Sequence, residues 1–400
     1  MSARQALVIG AGQAGLHLAE SLRAFGFEGS VLLAGAEKGL PYQRPPLSKE
    51  FLLAESAAPT VLRSKEFLKS RGITLLDGHH IVSVRRDAGG GEARDSTGRA
   101  WAFTHLALAT GASSRVLDLP GAGSPSVRYL RDLAHARRLR NAARSHRVRR
   151  IAIIGGGFIG LELAAAMTAL GKSVTVLEVA TTVLARAVDQ RISRHVEGAL
   201  LNRDVDLRCG VQPVAVLDSP SGATEVLLGD GTTVSADLVI AGIGATPRTE
   251  IAESLGLACD PGIVVDGRNL ASDNRTVAAG DCTQPERSLF NPLGIRLESV
   301  NNAVTQARIG AATLAGVEPP TPSVPWFWSV IGDIRLQMAG MPPPGATADV
   351  QGDPSSGSFS IVFHREATLV AVQCVNDPAR FAAGRKAIQR GSAVRPGQKA

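Results

Sequence analysis

Two stretches of the chain carry nearly the same pattern of apolar and small residues. LVIGAGQAGLHLAESL (7–22) and IAIIGGGFIGLELAAAM (151–167) each run from a short apolar strand, through three glycines spaced GxGxxG, into a segment of helical periodicity. The first predicts a strand over 6–9 and a helix over about 13–25, and the second a strand over 151–154 followed by a helix. Further short apolar runs predict strands at 31–34, 105–110, 173–177, 238–241 and around 277. Apolar residues at 300, 303, 304, 307 and 311 predict a helix starting near Ser299. Toward the C-terminus the pattern changes. A Pro- and Gly-rich stretch (341–358) reads as a loop, SFSIVF and TLVAVQCV alternate as strands, and a last helix follows Pro378. The expected fold is α/β, with two Rossmann-like dinucleotide-binding domains and a small C-terminal α+β domain. The repeated motif implies nesting: one binding domain over 1–116 and 244–319, interrupted by a second over 117–243, with the α+β domain over 320–400.

Each glycine has a distinct physical task. Gly10 and Gly155 permit the tight strand-to-helix turn, Gly12 and Gly157 let a pyrophosphate approach the backbone, and Gly15 and Gly160 let helix and strand pack closely. The phosphates then meet the unpaired amides at the helix N-terminus. A GxGxxG alone is a weak signal, but here both copies have the strand before and the helix after. The second copy is followed by a strand ending in Glu178, 23 residues after Gly155, where a carboxylate grips ribose hydroxyls and repels a 2′-phosphate. This favours NADH over NADPH. In the first copy the acid arrives late, and either Glu37 reaches back to the ribose or another group does. Two sites in one chain can hold FAD and a nicotinamide dinucleotide, so that hydride passes between them. Gly111, Gly244, Gly280 and Asp281 each follow an apolar strand. Asp281 is placed to accept hydrogen bonds from the ribityl hydroxyls of a flavin. The helix near Ser299 would favour negative charge on a reduced flavin through its dipole.

Composition narrows the alternatives. The chain has 400 residues, 44% apolar and 20% charged, as expected of a globular protein of two to three domains. The formal charge is +7. That suits steering of an acidic partner, whereas nucleic-acid binding has no supporting basic stretch interleaved with aromatics. The run 128–150 is the most basic and reads as a solvated helix face. Cys209, Cys259, Cys282 and Cys374 form no CxxC, and the eight histidines show no ligand spacing, so no metal site or redox disulfide is expected. Neither a signal peptide nor a membrane-spanning stretch is evident, and a soluble cytoplasmic protein is expected.

LPYQRPPLSK (40–49), GGGFIGLELA (155–164), AAGDC (278–282), RLESVNNAVTQA (296–307) and PWFWS (325–329) together resemble the FAD-dependent, NADH-utilising ferredoxin reductases of bacterial oxygenase systems. These form the family of putidaredoxin reductase and the aromatic-ring dioxygenase ferredoxin reductases. Apoptosis-inducing factor and rubredoxin reductase are more distantly similar. The resemblance implies a glutathione-reductase-like fold, with Lys49 beside the hydride-accepting nitrogen of the flavin and Glu162 near the nicotinamide, able to pair with it. It implies Gly10, Gly12, Ala14, Gly15, Glu37, Arg44, Lys49, Val82, Ala109, Thr110, Gly111, Arg131, Gly280, Asp281 and Val300 around FAD. For NADH it implies Gly155, Gly157, Phe158, Ile159, Gly160, Glu162, Glu178, Arg186 and Gly244. Trp328 would lie against the flavin near the edge that faces the ferredoxin, and packing suffices to explain Trp326. The chain departs from the family at Ala36, at Gln43 and at Val330-Ile331-Gly332-Asp333, the last near the expected docking face.

The function implied is passage of electrons from NADH through FAD to a [2Fe–2S] ferredoxin, acidic in character, that serves a cytochrome P450 or a ring-hydroxylating (Rieske) oxygenase. The chain's own cysteines lack the spacing for a cluster, so the iron must be on the partner. The same resemblance leaves open a diaphorase for quinone or monodehydroascorbate and an NADH-sensing flavoprotein like apoptosis-inducing factor.

Overall fold

The computed structural model describes residues 4–393 apart from 57, 219–223 and 289. Its organising unit is built twice. In the first copy five parallel strands lie in the order Val277–Ala278, His105–Leu108, Gln5–Ile9, Ser30–Gly35, Ile73–Asp77. Alternation along the strand decides what each face meets. Ala6 and Val8 join Leu16, Leu22, Ala303 and Ala307 from the helices Gln13–Ala24 and Val300–Ala315. Leu7 and Ile9 point the other way, to Val84, Ala93 and Phe103 of a three-stranded antiparallel sheet. Both faces are covered, which is why these strands read as unbroken apolar runs.

The second copy repeats this plan. Its parallel order is Asp206–Cys209, Ser173–Glu178, Arg150–Ile154, Leu238–Ala241, Val127–Tyr129. Ile151 and Ile153 face Leu161 and Ala164 of the helix Phe158–Ala169. Ala152 and Ile154 face Val226 and Val234 of a second antiparallel three-stranded sheet. The chain enters the second unit after Ala112–Ser114 and leaves it before Ala245–Pro247, and these two segments pair antiparallel with each other.

The C-terminal unit is an antiparallel sheet in the order Trp326–Ile331, Ile334–Gly340, Thr368–Val375, Ser358–Arg365, Thr347–Asp353, backed by the helix Pro378–Ala393. Two expectations change here. The stretch 341–358 is not all loop, because Thr347–Asp353 forms the edge strand. It is exposed along almost its whole length, so it carries no alternating apolar face to betray it. The basic run 128–150 is not one solvated helix. It ends a strand at Tyr129, forms the helix Leu133–Arg144 capped by Asp132, and starts another strand at Arg150. Several of its arginines are employed, and two reach the Lys49 segment: Arg140 donates to the carbonyls of Ala54 and Glu55 (2.6 Å each), and Arg144 to those of Leu53 and Ala54 (2.9 and 2.8 Å). These carbonyls end the short helix Glu50–Leu53 that follows Lys49, so the arginines brace the segment bearing that lysine.

Candidate active site

The two glycine turns have the same geometry. Gly10 and Gly155 sit at φ +110° and +112°, and a Cβ at either would strike a carbonyl oxygen, of Ala109 at 2.0 Å or Gly242 at 2.5 Å. A Cβ at Gly15 or Gly160 would fall 1.8 or 2.0 Å from the carbonyl oxygen of Gly10 or Gly155, where helix and turn touch. Gly12 and Gly157 differ: a Cβ there would meet nothing within 4 Å. Space beside bare backbone at a helix N-terminus suits an anionic group. Gly12→Val is therefore expected to leave the melting temperature within a few degrees of the parent while weakening FAD binding more than about tenfold. Flavin stoichiometry read by absorbance, beside a thermal melt, checks it.

Beyond the turns stand the acids. Glu178 accepts from the backbone N–H of Gly156 (2.6 Å) and of Ala180 (2.8 Å), which fixes its carboxylate against the second turn. Glu37 accepts from the Tyr42 hydroxyl (2.6 Å) and pairs with Arg44 (3.1 Å). Tyr42 in turn accepts from the N–H of Leu133. Burial, then the bond to Glu37, pushes the phenol well above its ordinary range, so it stays a donor.

Three units meet at Glu162. Pro45 and Pro46 start a short 3₁₀ turn, Pro45–Ser48, which delivers Lys49. Lys49 Nζ lies 2.7 Å from Glu162 Oε2, with the two side chains only 14% and 6% exposed. The same oxygen accepts from Ser48 Oγ, and Glu162 Oε1 accepts from Ser329 Oγ at 2.6 Å. Lys49 also donates to the carbonyl of Pro45 at 3.1 Å. The match between elements follows from their periods. Phe158 and Glu162, four residues apart on a helix, span about 6 Å, close to the two-residue repeat of a strand. Phe327 and Ser329 supply that repeat: Phe158 meets Phe327 with ring centroids 4.7 Å apart and the rings tilted by 46°, and Glu162 meets Ser329. Trp326 and Trp328 point to the opposite face, with their rings 5.3 Å apart. Trp326 also meets Phe381, and the Arg385 guanidinium lies 5.5 Å over its ring.

A second polar cluster surrounds Asp281, which pairs with Arg131 at 2.6 Å. Arg296 donates to the Asp281 carbonyl (2.7 Å) and pairs with Glu298. Burial, with Asp281 nearby, raises the Glu298 carboxyl above its usual range. Gly280, at φ +86°, leaves only 2.8 Å between a would-be Cβ and that of Ala14, and its N–H donates to the buried Gln306. Ser299 caps the helix that Val300 begins.

Of the remaining expected site residues, Ala109 lines the Gly10 turn, and Gly111 and Gly244 sit at φ +70° and +108°. Thr110 donates to the Arg248 carbonyl, joining two loops. Ile159 is exposed at the start of its helix, Val82 is exposed on the strand Ile81–Arg86, and Arg186 is exposed in the segment after Glu178. The structure thus joins Lys49 with Glu162, Arg131 with Asp281 and Arg44 with Glu37. Among the described residues it joins neither Val82 nor Arg186 to another of these residues by a side-chain hydrogen bond or ion pair. Ser48, Ser329, Tyr42, Arg296 and Glu298 belong to the same clusters and are not legible as such. All but Ser329 lie in the motifs LPYQRPPLSK and RLESVNNAVTQA, and Ser329 closes PWFWS, but no local pattern reports which of them meet.

Two open glycine cradles, each with an acid nearby, make this an α/β protein whose donor sets fit two dinucleotides, as FAD and a nicotinamide dinucleotide would require. Residues 4–307 match the family model for pyridine nucleotide-disulphide oxidoreductases, and residues 326–400 match that for the reductase C-terminal domain. The chain belongs to the pyridine nucleotide-disulphide oxidoreductase family. It is 39% identical to rhodocoxin reductase of Rhodococcus erythropolis, over 98% of this chain and 91% of that one. The ferredoxin reductase for the CYP199A2 system of Rhodopseudomonas palustris superposes with a TM-score of 0.90 at 37% identity, covering 96% and 93% of the two chains. A covalent putidaredoxin reductase–putidaredoxin complex gives 0.90 at 35%, covering 97% and 93%. The disulphide for which the family is named has no counterpart among the described residues. All four cysteines are free, and burial raises the thiols of Cys209 and Cys374 to about 11.

Proposed function

We propose that the chain is an NADH-dependent flavoprotein reductase that supplies electrons to a [2Fe–2S] ferredoxin serving a cytochrome P450 or a ring-hydroxylating oxygenase. Bound FAD supplies the conversion of a two-electron hydride input into one-electron output. The observation that carries this reading is the 2.7 Å pair of Lys49 with Glu162, which ties the first glycine-turn unit to the second where their two dinucleotides would meet.

In this reading 1–116 and 244–319 hold FAD, 117–243 holds NADH and 320–400 presents the acceptor face. Gly10, Gly12 and Gly15 receive the FAD pyrophosphate, with Glu37 on the adenosine side. Glu178 receives the NADH ribose, its orientation fixed by two backbone N–H groups. Lys49 is assigned to the reacting ring, where a cation stabilises the negative charge that arrives with a hydride. Asp281, held by Arg131, accepts from the sugar-alcohol chain. Trp328 lies on the exit side. The helix behind it presents Arg380, Arg385, Lys386 and Arg390, and with the net +7 this favours an acidic partner. Among the described residues no helix is long and apolar enough to cross a membrane. We assign the protein to the cytoplasm, where NADH is supplied.

The test is an absorption spectrum followed by anaerobic titration with NADH, then cytochrome c reduction with and without a [2Fe–2S] ferredoxin. A yellow protein that bleaches with one equivalent of NADH, and whose cytochrome c reduction rises with added ferredoxin, is expected. Bleaching without ferredoxin stimulation would instead identify a diaphorase.

A further inference from the structure

The carboxylate of Glu162 is buried, pairs with the Lys49 ammonium and accepts from the hydroxyls of Ser48, the residue before that lysine, and of Ser329 on a separate strand. Ser329 and Ser48 are themselves 0% and 5% exposed. A buried serine loses its hydration and regains a bond only where an acceptor is built for it. For Ser329 that acceptor is Glu162 Oε1, the oxygen that Lys49 leaves free. The division of labour is geometric. Lys49 and Ser48 share one oxygen, and without a donor on the other the carboxylate is free to turn about its last torsion, a broad and soft one. Ser329 closes that freedom.

It comes from a strand held on both faces. Phe327 packs against Phe158, ring tilted to ring, beside the Ser329–Glu162 bond, while Trp326 and Trp328 lie against each other opposite, with Phe381 on Trp326. The strand Trp326–Ile331 is therefore a rigid bracket, and its serine hydroxyl fixes a carboxylate that in turn fixes a lysine.

Building on the reading of Lys49 given above, we propose that Ser329 is a positioning residue for hydride transfer: through Glu162 it holds the Lys49 ammonium in the place from which it acts on the reacting ring. Ser329 touches neither dinucleotide in this account. Its effect passes wholly through the carboxylate, and this sets it apart from a residue that merely packs.

The experiment is a double-mutant cycle on the FAD-loaded full chain, read by anaerobic stopped-flow reduction with NADH. Ser329→Ala is expected to lower the limiting rate of flavin bleaching about tenfold, with the dissociation constant for NADH within about twofold of the parent. In a Glu162→Met background, which keeps the volume but removes the acceptor, the same substitution is expected to have no further effect. Ser329→Thr, which keeps the hydroxyl on a β-branched strand residue, is expected to restore most of the rate. Equal losses in both backgrounds, or a change confined to NADH affinity, would overturn the assignment. If Ser329→Ala lowers FAD content, Ser329→Cys, close in volume but a much weaker donor, takes its place in the same two backgrounds. A loss of rate that persists in the Glu162→Met background then counts against positioning through this carboxylate. A parent protein that NADH never bleaches would instead refute the proposed function, so the two failures are distinguishable.

Discussion

Lys49→Ala is expected to slow reduction of the bound flavin by NADH about 10²- to 10³-fold while FAD stays bound, the range seen when one preorganised stabilising donor is removed. Two losses combine. The cation assigned to the reacting ring disappears, and the carboxylate it neutralised remains. Glu162 is 6% exposed and would keep its bonds to Ser48 and Ser329 without a counter-charge. A buried, unpaired negative group opposes the arrival of further negative charge. Retention of FAD is expected because the glycine cradle and the Arg131–Asp281 pair are untouched. Anaerobic stopped-flow absorbance measures the rate directly, and a rate equal to the parent's would remove Lys49 from the reaction.

Glu178→Ala combined with Val179→Arg is expected to reverse coenzyme preference. Two backbone N–H groups hold the carboxylate in place, and each of its oxygens keeps a further lone pair for the ribose diol assigned to it above. Hydrogen bonds to a charged group contribute about 1.5–3 kcal/mol, so losing them should raise KM for NADH by roughly 10- to 150-fold. Val179 is 63% exposed, so an arginine there has open space in which to meet a 2′-phosphate. The ratio of kcat/KM for NADPH to that for NADH is the measurement. An unchanged ratio would mean that another group reads the ribose.

What could be read from the sequence was what depends on neighbours along the chain. A strand, a glycine turn and a helix are set by consecutive residues, so both GxGxxG units and the helix capped by Ser299 stand where their patterns place them. Thr347–Asp353 escaped because an exposed edge strand needs no apolar alternation. The Glu162 cluster joins residues 114 and 167 positions apart, and no local pattern reports such a meeting. The resemblance suggested the lysine–glutamate pair, but the two serine hydroxyls became visible only once the helix carrying Phe158 and Glu162 lay against the strand carrying Phe327 and Ser329.

The chain passes between its two glycine-turn units through Ala112–Ser114 and Ala245–Pro247, adjacent rungs of one ribbon. Neighbouring strands stand about 4.8 Å apart, so the intervening segment begins and ends at nearly the same point in space. It is joined to its host as a plug is to a socket. A foreign coenzyme module whose own ends lie close together can be grafted between these two strands by two splices, with no long loop to close and so little entropic penalty. On the assignment of NADH to this segment proposed above, nature and the engineer alike could thereby change which reductant is accepted without disturbing the rest of the molecule.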